Sequence, residues 1–420
     1  MVGSSVLVLP ALGKVTGLIL GPCLLFATAL LLLQVAKSFD AAMAAVDRSA
    51  APNQHVKTFE NFAKATAGTL GEWVVRFSVT TFIYGFLVVY SVLVSKNCEA
   101  LALNLFGIEW SSQAWLLIPA PVYLAMGQIT NLSKVAKLSV FGMITAFLSF
   151  ITAFGKSTGD IGITSTWTAE QRLQFHYMWP ASVPELLPKL PIYLSTYGVI
   201  MMLPAFRGQM ENPDEFFSAF RGAFLIVAFL FTLIMISGYS AYGFFTSDSV
   251  MFNLMFIPAD YDEAKNITFE KWSGQNQPIY GNIMAIMVTL NLILSFPILF
   301  TAVIGALEKS LPTNCAAAET GSTQNRIIRA IAVVLIVVIE LNCSFFLELI
   351  SVFAAGCGSL NNVLLPLFLT YKLRRRPAAM PPASWTECFC HLIVTVFACM
   401  CFIIGLPAAV AKLVEAVRNS

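Results

Sequence analysis

Ser195-Thr-Tyr-Gly198, followed by Ile200-Met-Met-Leu-Pro-Ala205, is the stretch on which the fold turns. Small residues open an apolar run and a proline punctuates it. The start of the chain repeats the pattern: Gly3-Ser-Ser5, then Val6-Leu-Val-Leu-Pro-Ala11. Glycine loosens a helix, and proline removes one of its hydrogen bonds. A helix broken inside a bilayer leaves N–H and C=O groups unpaired, which is tolerable only where they line a cavity. Five apolar spans separate the two copies, so the copies insert upside-down relative to each other. That is the pattern of an inverted-repeat transporter with two discontinuous helices. Gly, Ser and Pro are frequent in membrane helices generally, so it is the pairing, not either motif, that carries weight.

The rest of the chain agrees with a bilayer setting. Of its 420 residues, 57% are hydrophobic and only 11% charged. A soluble domain carries about a quarter of its residues as charges. About twenty apolar residues cross a bilayer. Eleven segments qualify: 2–13 (short), 15–36, 71–95, 114–131, 136–155, 190–206, 219–244, 281–306, 327–343, 345–371 and 387–410. The predicted fold is an all-α polytopic membrane protein of about eleven helices, a 5+5 inverted repeat plus one. Residues 1–155 form the first five-helix repeat, with 156–189 as an external loop. Residues 190–372 form the second repeat, holding a second external loop at 245–280. Residues 373–420 are the eleventh helix and a short tail. The Ala-rich stretch 37–70 reads as amphipathic and in part helical.

Lys and Arg counts set the orientation. With the N-terminus in the cytoplasm, fifteen basic residues lie inside and nine outside. Lys372-Leu-Arg-Arg-Arg376 is the strongest inside anchor. The sequon Asn266-Ile-Thr268 then falls outside, as glycosylation requires. The net charge of +2 gives no footprint for a nucleic acid. The Cys residues lack metal spacing, and His55, His176 and His391 are scattered. No His or Asp constellation supports an enzyme, and no Asp sits within a span for an intramembrane protease. No filter loop supports a channel.

The site candidates follow from the breaks. Gly3, Ser4 and Ser5 on one side and Ser195, Tyr197 and Gly198 on the other are the expected substrate-binding residues. Half-helix N-termini favour a carboxylate, and exposed carbonyls favour an ammonium. An amino-acid zwitterion presents both. No lone charge sits at these positions, which points to neutral amino acids. Arg76 is intramembrane, with two readings of equal weight: a gating group, or a partner of Glu72 one turn away. Tyr84 reads as a core aromatic that reaches the pocket wall at most. Glu340 and Glu348 flank the turn between spans nine and ten and read as interfacial, with a proton relay as the lesser alternative. Gly356-Cys-Gly-Ser359 reads as a hinge or a tight helix contact. In span eight, Asn291 and Ser295 share one helix face, and Pro297 frees the carbonyl of residue 293. These hard oxygen donors suit a small cation.

At these residues the sequence resembles the amino acid/auxin permease family, over nearly the whole chain. Gly3-Ser-Ser-Val-Leu-Val-Leu-Pro10 is similar to the family's Gly-x-Gly-x-Leu-x-Leu-Pro, with Ser5 at the second Gly. Met210-Glu-Asn-Pro213-Asp-Glu-Phe216 resembles its Met-x-Asn-Pro-x-x-Phe. Gly238-Tyr239-Ser-Ala-Tyr242-Gly243 and Asn253-Leu254 resemble its Gly-Tyr-x-x-Phe-Gly…Asn-Leu, and Ser295-Phe-Pro297 its Thr-x-Pro. The resemblance implies a LeuT-like fold and secondary amino acid transport by symport with H+ or Na+. It places the coupling ion between spans one and eight, at Ser295, Asn291 and carbonyls near Gly3. It implies the plasma membrane or a vacuolar or lysosomal membrane, and no organic cofactor. A transporter-like receptor that binds without flux is the alternative. The family has a polar tail and a first half-helix before its Gly motif, so an upstream coding segment is expected; the other reading is an inactive truncated form.

Overall fold

In hydrocarbon every backbone group must find its partner within the protein, which makes a long apolar run helical. The computed structural model describes residues 2–49, 56, 58–129, 132–164, 176–180, 182–255, 278–308, 322–342, 345–376 and 380–418, without the side chains of residues 2–6, 112, 132–139, 162–164, 245, 255, 278 and 346. Among these, every regular element is helical. In chain order they are α1 (Val2–Thr16), α2 (Leu20–Ser49), α3 (Phe59–Phe106), α4 (Gln113–Gly127) and α5 (Leu132–Thr164). Then come α6 (Val183–Arg207, broken), α7 (Phe216–Tyr242), a short helix Val250–Met255 inside the expected 245–280 loop, α8 (Pro278–Glu308), α9 (Thr323–Asn342), α10 (Leu347–Arg374) and α11 (Trp385–Arg418). Eight of the helices are long and apolar enough to cross a membrane, and α1 and α4 are shorter apolar helices. The twenty residues of α9 carry Arg326, Arg329 and Glu340 among apolar ones. The chain is a multi-pass integral membrane protein. Its outward faces carry Phe77, Phe141, Met143, Ile226, Phe229 and Ile403 exposed, which water would penalise and lipid does not.

α3 has 48 residues, about 72 Å at 1.5 Å per residue against a hydrocarbon core of about 30 Å. Gly68, at φ 75°, kinks it and separates a leading arm from the span. Thr58 caps its start, accepting from the Asn61 N–H at 3.2 Å, and Gly107 closes its end at φ 64°. The stretch 37–49 continues α2 as helix.

At the centre, α8 lies against α3 and α5, and α7 lies against α1, α2 and α5. The α1–α7 seam is tight. A Cβ at Gly238 would come within 2.5 Å of the Pro10 ring, and one at Gly13 within 3.0 Å of Tyr239. Phe296 and Phe300 of α8 and Tyr123 of α4 form a buried aromatic stack nearby.

The structure revises one expectation and adds detail to two. Residues 156–164, expected as loop, continue α5. Lys156 and Asp160 pair at i, i+4, and the Tyr242 hydroxyl donates to Asp160 at 2.8 Å, so polar residues extend the helix instead of ending it. The Gly356 patch lies in a π turn, Ala354–Gly358, followed by a second, Leu360–Leu364. Pro366 has no N–H for the carbonyl of Asn362, and a wider turn accommodates the lost bond. Glu340 is enclosed by protein. It is 0% exposed, because α9 packs that face on α3 and α4. Asn266 lies outside the described residues.

Candidate functional site

The α-helix that begins at Leu190 stops at Thr196. Tyr197 takes φ −103°, ψ 33°, which no helix continues. The Gly198 N–H turns to the Ser195 carbonyl at 2.9 Å, and the Met202 N–H to the Val199 carbonyl at 2.9 Å. A 3₁₀ turn, Ile200–Met202, leads into a helical restart at Leu203–Arg207. Pro204 sits in the first turn of the restart, where its missing N–H costs nothing. In an unbroken helix the Leu194 carbonyl would accept from the Gly198 N–H. Here the Asn362 Nδ2 of α10 donates to it at 3.4 Å.

Beside the break lies a cavity of about 440 Å³. Tyr197 and Gly198 line it from α6, Phe224 and Phe231 from α7, and Leu299 from α8. No Asp, Glu, Lys or Arg is in its wall. The volume falls in the range of about 300–1,000 Å³ usual for small-molecule sites. The Tyr197 ring lies 5.2 Å from Phe224 and 5.8 Å from Phe231. Its hydroxyl is buried and has no hydrogen-bond partner. Three further polar atoms behind the break are buried and unpartnered: Ser78 Oγ, Asn361 Oδ1 and Asn362 Oδ1. Asn361 donates through Nδ2 to the Ser78 carbonyl at 3.1 Å.

Of the expected substrate residues, Tyr197 and Gly198 meet in the cavity wall. Ser195 turns elsewhere: its hydroxyl donates to the Ile192 carbonyl at 3.1 Å, and its Cβ faces Gly358 of α10. Gly3, Ser4 and Ser5 occupy the first turn of α1, and their side chains lie outside the described residues. A contact between α1 and α6 occurs at the far end of α1, where Thr16 Oγ1 and Tyr193 OH are 3.0 Å apart. Asn291 and Ser295 both face Gly142 of α5, and Asn291 Nδ2 donates to the Gly142 carbonyl at 2.5 Å.

Arg76 has the Glu72 partner that its spacing offers. It pairs with Glu72 at 2.6 Å, lies 3.8 Å from Glu60, and sits over the Trp73 ring at 5.1 Å. The Tyr84 hydroxyl donates to the Ala332 carbonyl of α9 at 2.9 Å, away from the cavity. Sequence reasoning passed over Asn361 and Asn362. Two adjacent amides in the middle of an apolar span were a visible signal, since polar groups at that depth are expensive.

A family model described as transmembrane amino acid transporter protein matches residues 1–411. Amino acid transporter AVT1B of Arabidopsis thaliana is 22% identical over 370 residues, 86% of this chain and 61% of that protein. The chain thus spans about three fifths of the length of that relative. Among solved structures, MhsT in complex with L-phenylalanine aligns at 12% identity and a TM-score of 0.44, covering 96% of this chain and 97% of that one. A Na+-coupled sialic acid symporter aligns at 10% identity and a TM-score of 0.40, covering 97% and 90%. With the family match running over almost its full length, the chain belongs to the transmembrane amino acid transporter family.

Proposed function

We propose that the chain is a secondary active transporter that carries neutral amino acids across a membrane by alternating access, coupled to a gradient of H+ or Na+. One observation carries this: α6 is interrupted at Tyr197–Val199, beside a cavity whose wall holds no charged residue. The two charges of a zwitterion need opposite partners, and N–H and C=O groups released from the weak local bonds of a helix break are the proposed source of them in the absence of a charged side chain. The Phe224 and Phe231 rings suit an uncharged, apolar substrate side chain. Gly3, Ser4 and Ser5 are the proposed second half of the site, as the small-residue patch of the first span that pairs with Ser195-Thr-Tyr-Gly198 of α6. Asn291 and Ser295 are the proposed cation ligands. Family membership and the plant relative's name support the substrate class. The proposed location is the plasma membrane or a vacuolar or lysosomal membrane.

The test is accumulation of radiolabelled neutral amino acids in vesicles holding the purified full chain. Accumulation above equilibrium under an imposed H+ or Na+ gradient is expected. Gly198→Leu should abolish it, since the new side chain enters the cavity that Gly198 lines. Saturable binding with no accumulation under either gradient would replace transport with a receptor role.

A further inference from the structure

Glu340 is 0% exposed. The Ser95 hydroxyl of α3 donates to its Oε1 at 2.6 Å, and the Ser91 hydroxyl donates to its Oε2. Among the described residues no Lys, Arg or His pairs with it, and the two serines are its polar partners. The titratable groups that face this place are Tyr123 from α4 and Cys98 from α3. Tyr123 is buried, its hydroxyl has no partner at hydrogen-bond distance, and it lies beside Ser91 in the field of the Glu340 carboxyl. Among the described residues, the other carboxylates joined across helices by hydrogen bonds or ion pairs have a cation: Asp40 and Asp47 have Arg207, Asp160 has Lys156, Glu308 has Arg329, Glu348 has Lys189, and Glu387 has Arg374. Glu340 alone in this set is held by hydroxyls.

A full negative charge in such a place is costly unless it is paired. Neutral hydroxyls solvate it in part. They are also the group of choice where the charge must come and go, because a hydroxyl donates to a carboxylate and accepts from a carboxylic acid. An arginine in their place would lock the anion. The two serine hydroxyls sit at direct hydrogen-bond distance, so no ion-sized gap separates them from the carboxyl; a proton needs none. The spare Tyr123 hydroxyl is a ready acceptor or donor for the other state. Glu340 is also two residues from the end of α9 at Asn342, which brings it near one face of the membrane.

We propose that Glu340 is the proton-loading group of this protein, with Ser91, Ser95 and Tyr123 as the hydroxyl cage that stabilises both of its states. The step is a protonation alone: carboxylate plus proton gives carboxylic acid, and no other bond forms or breaks. The proposal rests on the transport reading and names the coupling ion within it.

The test uses the full chain in liposomes, with radiolabelled neutral amino acids as the probe and two readouts. Under one-to-one coupling a gradient of about one pH unit supports about tenfold accumulation in the native protein. Glu340→Gln should bring that ratio to one and make exchange at equal pH on both sides independent of pH. Glu340→Asp should restore part of the response. The second readout is the infrared carbonyl stretch of a protonated carboxylic acid, which should titrate in the native protein and be missing in Glu340→Gln. Should the Gln variant fail to fold, Ser91→Ala/Ser95→Ala keeps the carboxyl; the pH profile of accumulation should then move to higher pH. Driven accumulation by Glu340→Gln equal to native overturns the proposal. So does accumulation that follows Na+ and ignores pH, a carbonyl band that survives in Glu340→Gln, or an unmoved profile in the serine variant. A native protein that accumulates nothing yet shows the titrating Glu340 band would sink the transport reading and leave the proton site standing.

Discussion

Tyr197 bears on function because its hydroxyl is wasted on the protein alone. The residue is 3% exposed, and its oxygen has no partner. Leaving a buried polar group unpaired costs about 1–3 kcal/mol, whereas a hydrogen bond regained from a ligand is worth about 0.5–1.5 kcal/mol. Tyr197→Phe separates the two. It should leave the thermal unfolding midpoint unchanged or raised, since nothing in the protein is lost. It should weaken apparent substrate affinity about three- to tenfold, the equivalent of one hydrogen bond. Unfolding followed with and without substrate, beside uptake kinetics, decides it; unchanged affinity would remove Tyr197 from the site. Part of this was legible in the residues. Tyr197 and Gly198 stand out because Ser195-Thr-Tyr-Gly198 interrupts an apolar run. The role of Asn362 was not, because nothing in its neighbours says that it reaches the Leu194 carbonyl on another helix.

Elements show where sequence periodicity works and where it stops. Runs of apolar residues place the helices, and Ser195 to Pro204 places the break in α6, because length and breaker residues are local properties. Continuation of α5 to Thr164 was not legible, since it depends on Tyr242 of α7 reaching Asp160. Burial of Glu340 was missed for the same reason: which face of α9 meets α3 is a packing outcome. The family-like Gly238-Tyr239 pair gains its meaning only against α1. A methyl at Gly238 would lie within 2.5 Å of the Pro10 ring, and a proline ring cannot swing aside. Gly238→Ala should therefore destabilise the protein by about 1–3 kcal/mol through overpacking. Gly222 lies in the same helix, with nothing within 4 Å of a Cβ placed there. Gly222→Ala should be neutral, or stabilising by up to about 1 kcal/mol from helix propensity. Thermal unfolding of the two single variants is the measurement. Equal midpoints would mean that the α1–α7 seam yields, and that the glycine is there for another reason.

At the scale of the molecule, the charges gather where helices from both halves of the chain meet. Arg207, at the end of the broken helix, pairs with Asp40 at 3.1 Å and with Asp47, both on α2. Close by in the chain, Ser38 of α2 donates to Glu387 of α11 at 2.5 Å, and Arg374 of α10 pairs with the same Glu387. Arg376 donates to the Thr66 carbonyl of α3 at 2.8 Å. These contacts tie α6, α10 and α11 to α2 and α3 at one end, the end on which the Lys and Arg count puts the cytoplasm. Side-chain exposures of 6% for Arg207, 17% for Asp40 and 13% for Asp47 mean that little water screens this triad. Removing the arginine alone strands two carboxylates, which costs about 3–5 kcal/mol for a buried pair, while replacing all the partners by neutral groups costs far less. Arg207→Met should therefore lower the unfolding midpoint sharply, and Arg207→Met/Asp40→Asn/Asp47→Asn should recover most of the loss. The transport reading adds a second expectation. A restored but uncharged closure no longer holds α6 against α2, so the triple variant should be stable yet accumulate substrate poorly, with the α6 end more open to thiol reagents at an introduced Val199→Cys. A triple variant as unstable as the single one would mean that shape, not charge, holds this end. A triple variant that is stable, closed to the reagent and fully active would mean that the triad is an ordinary fastening with no part in the transport cycle.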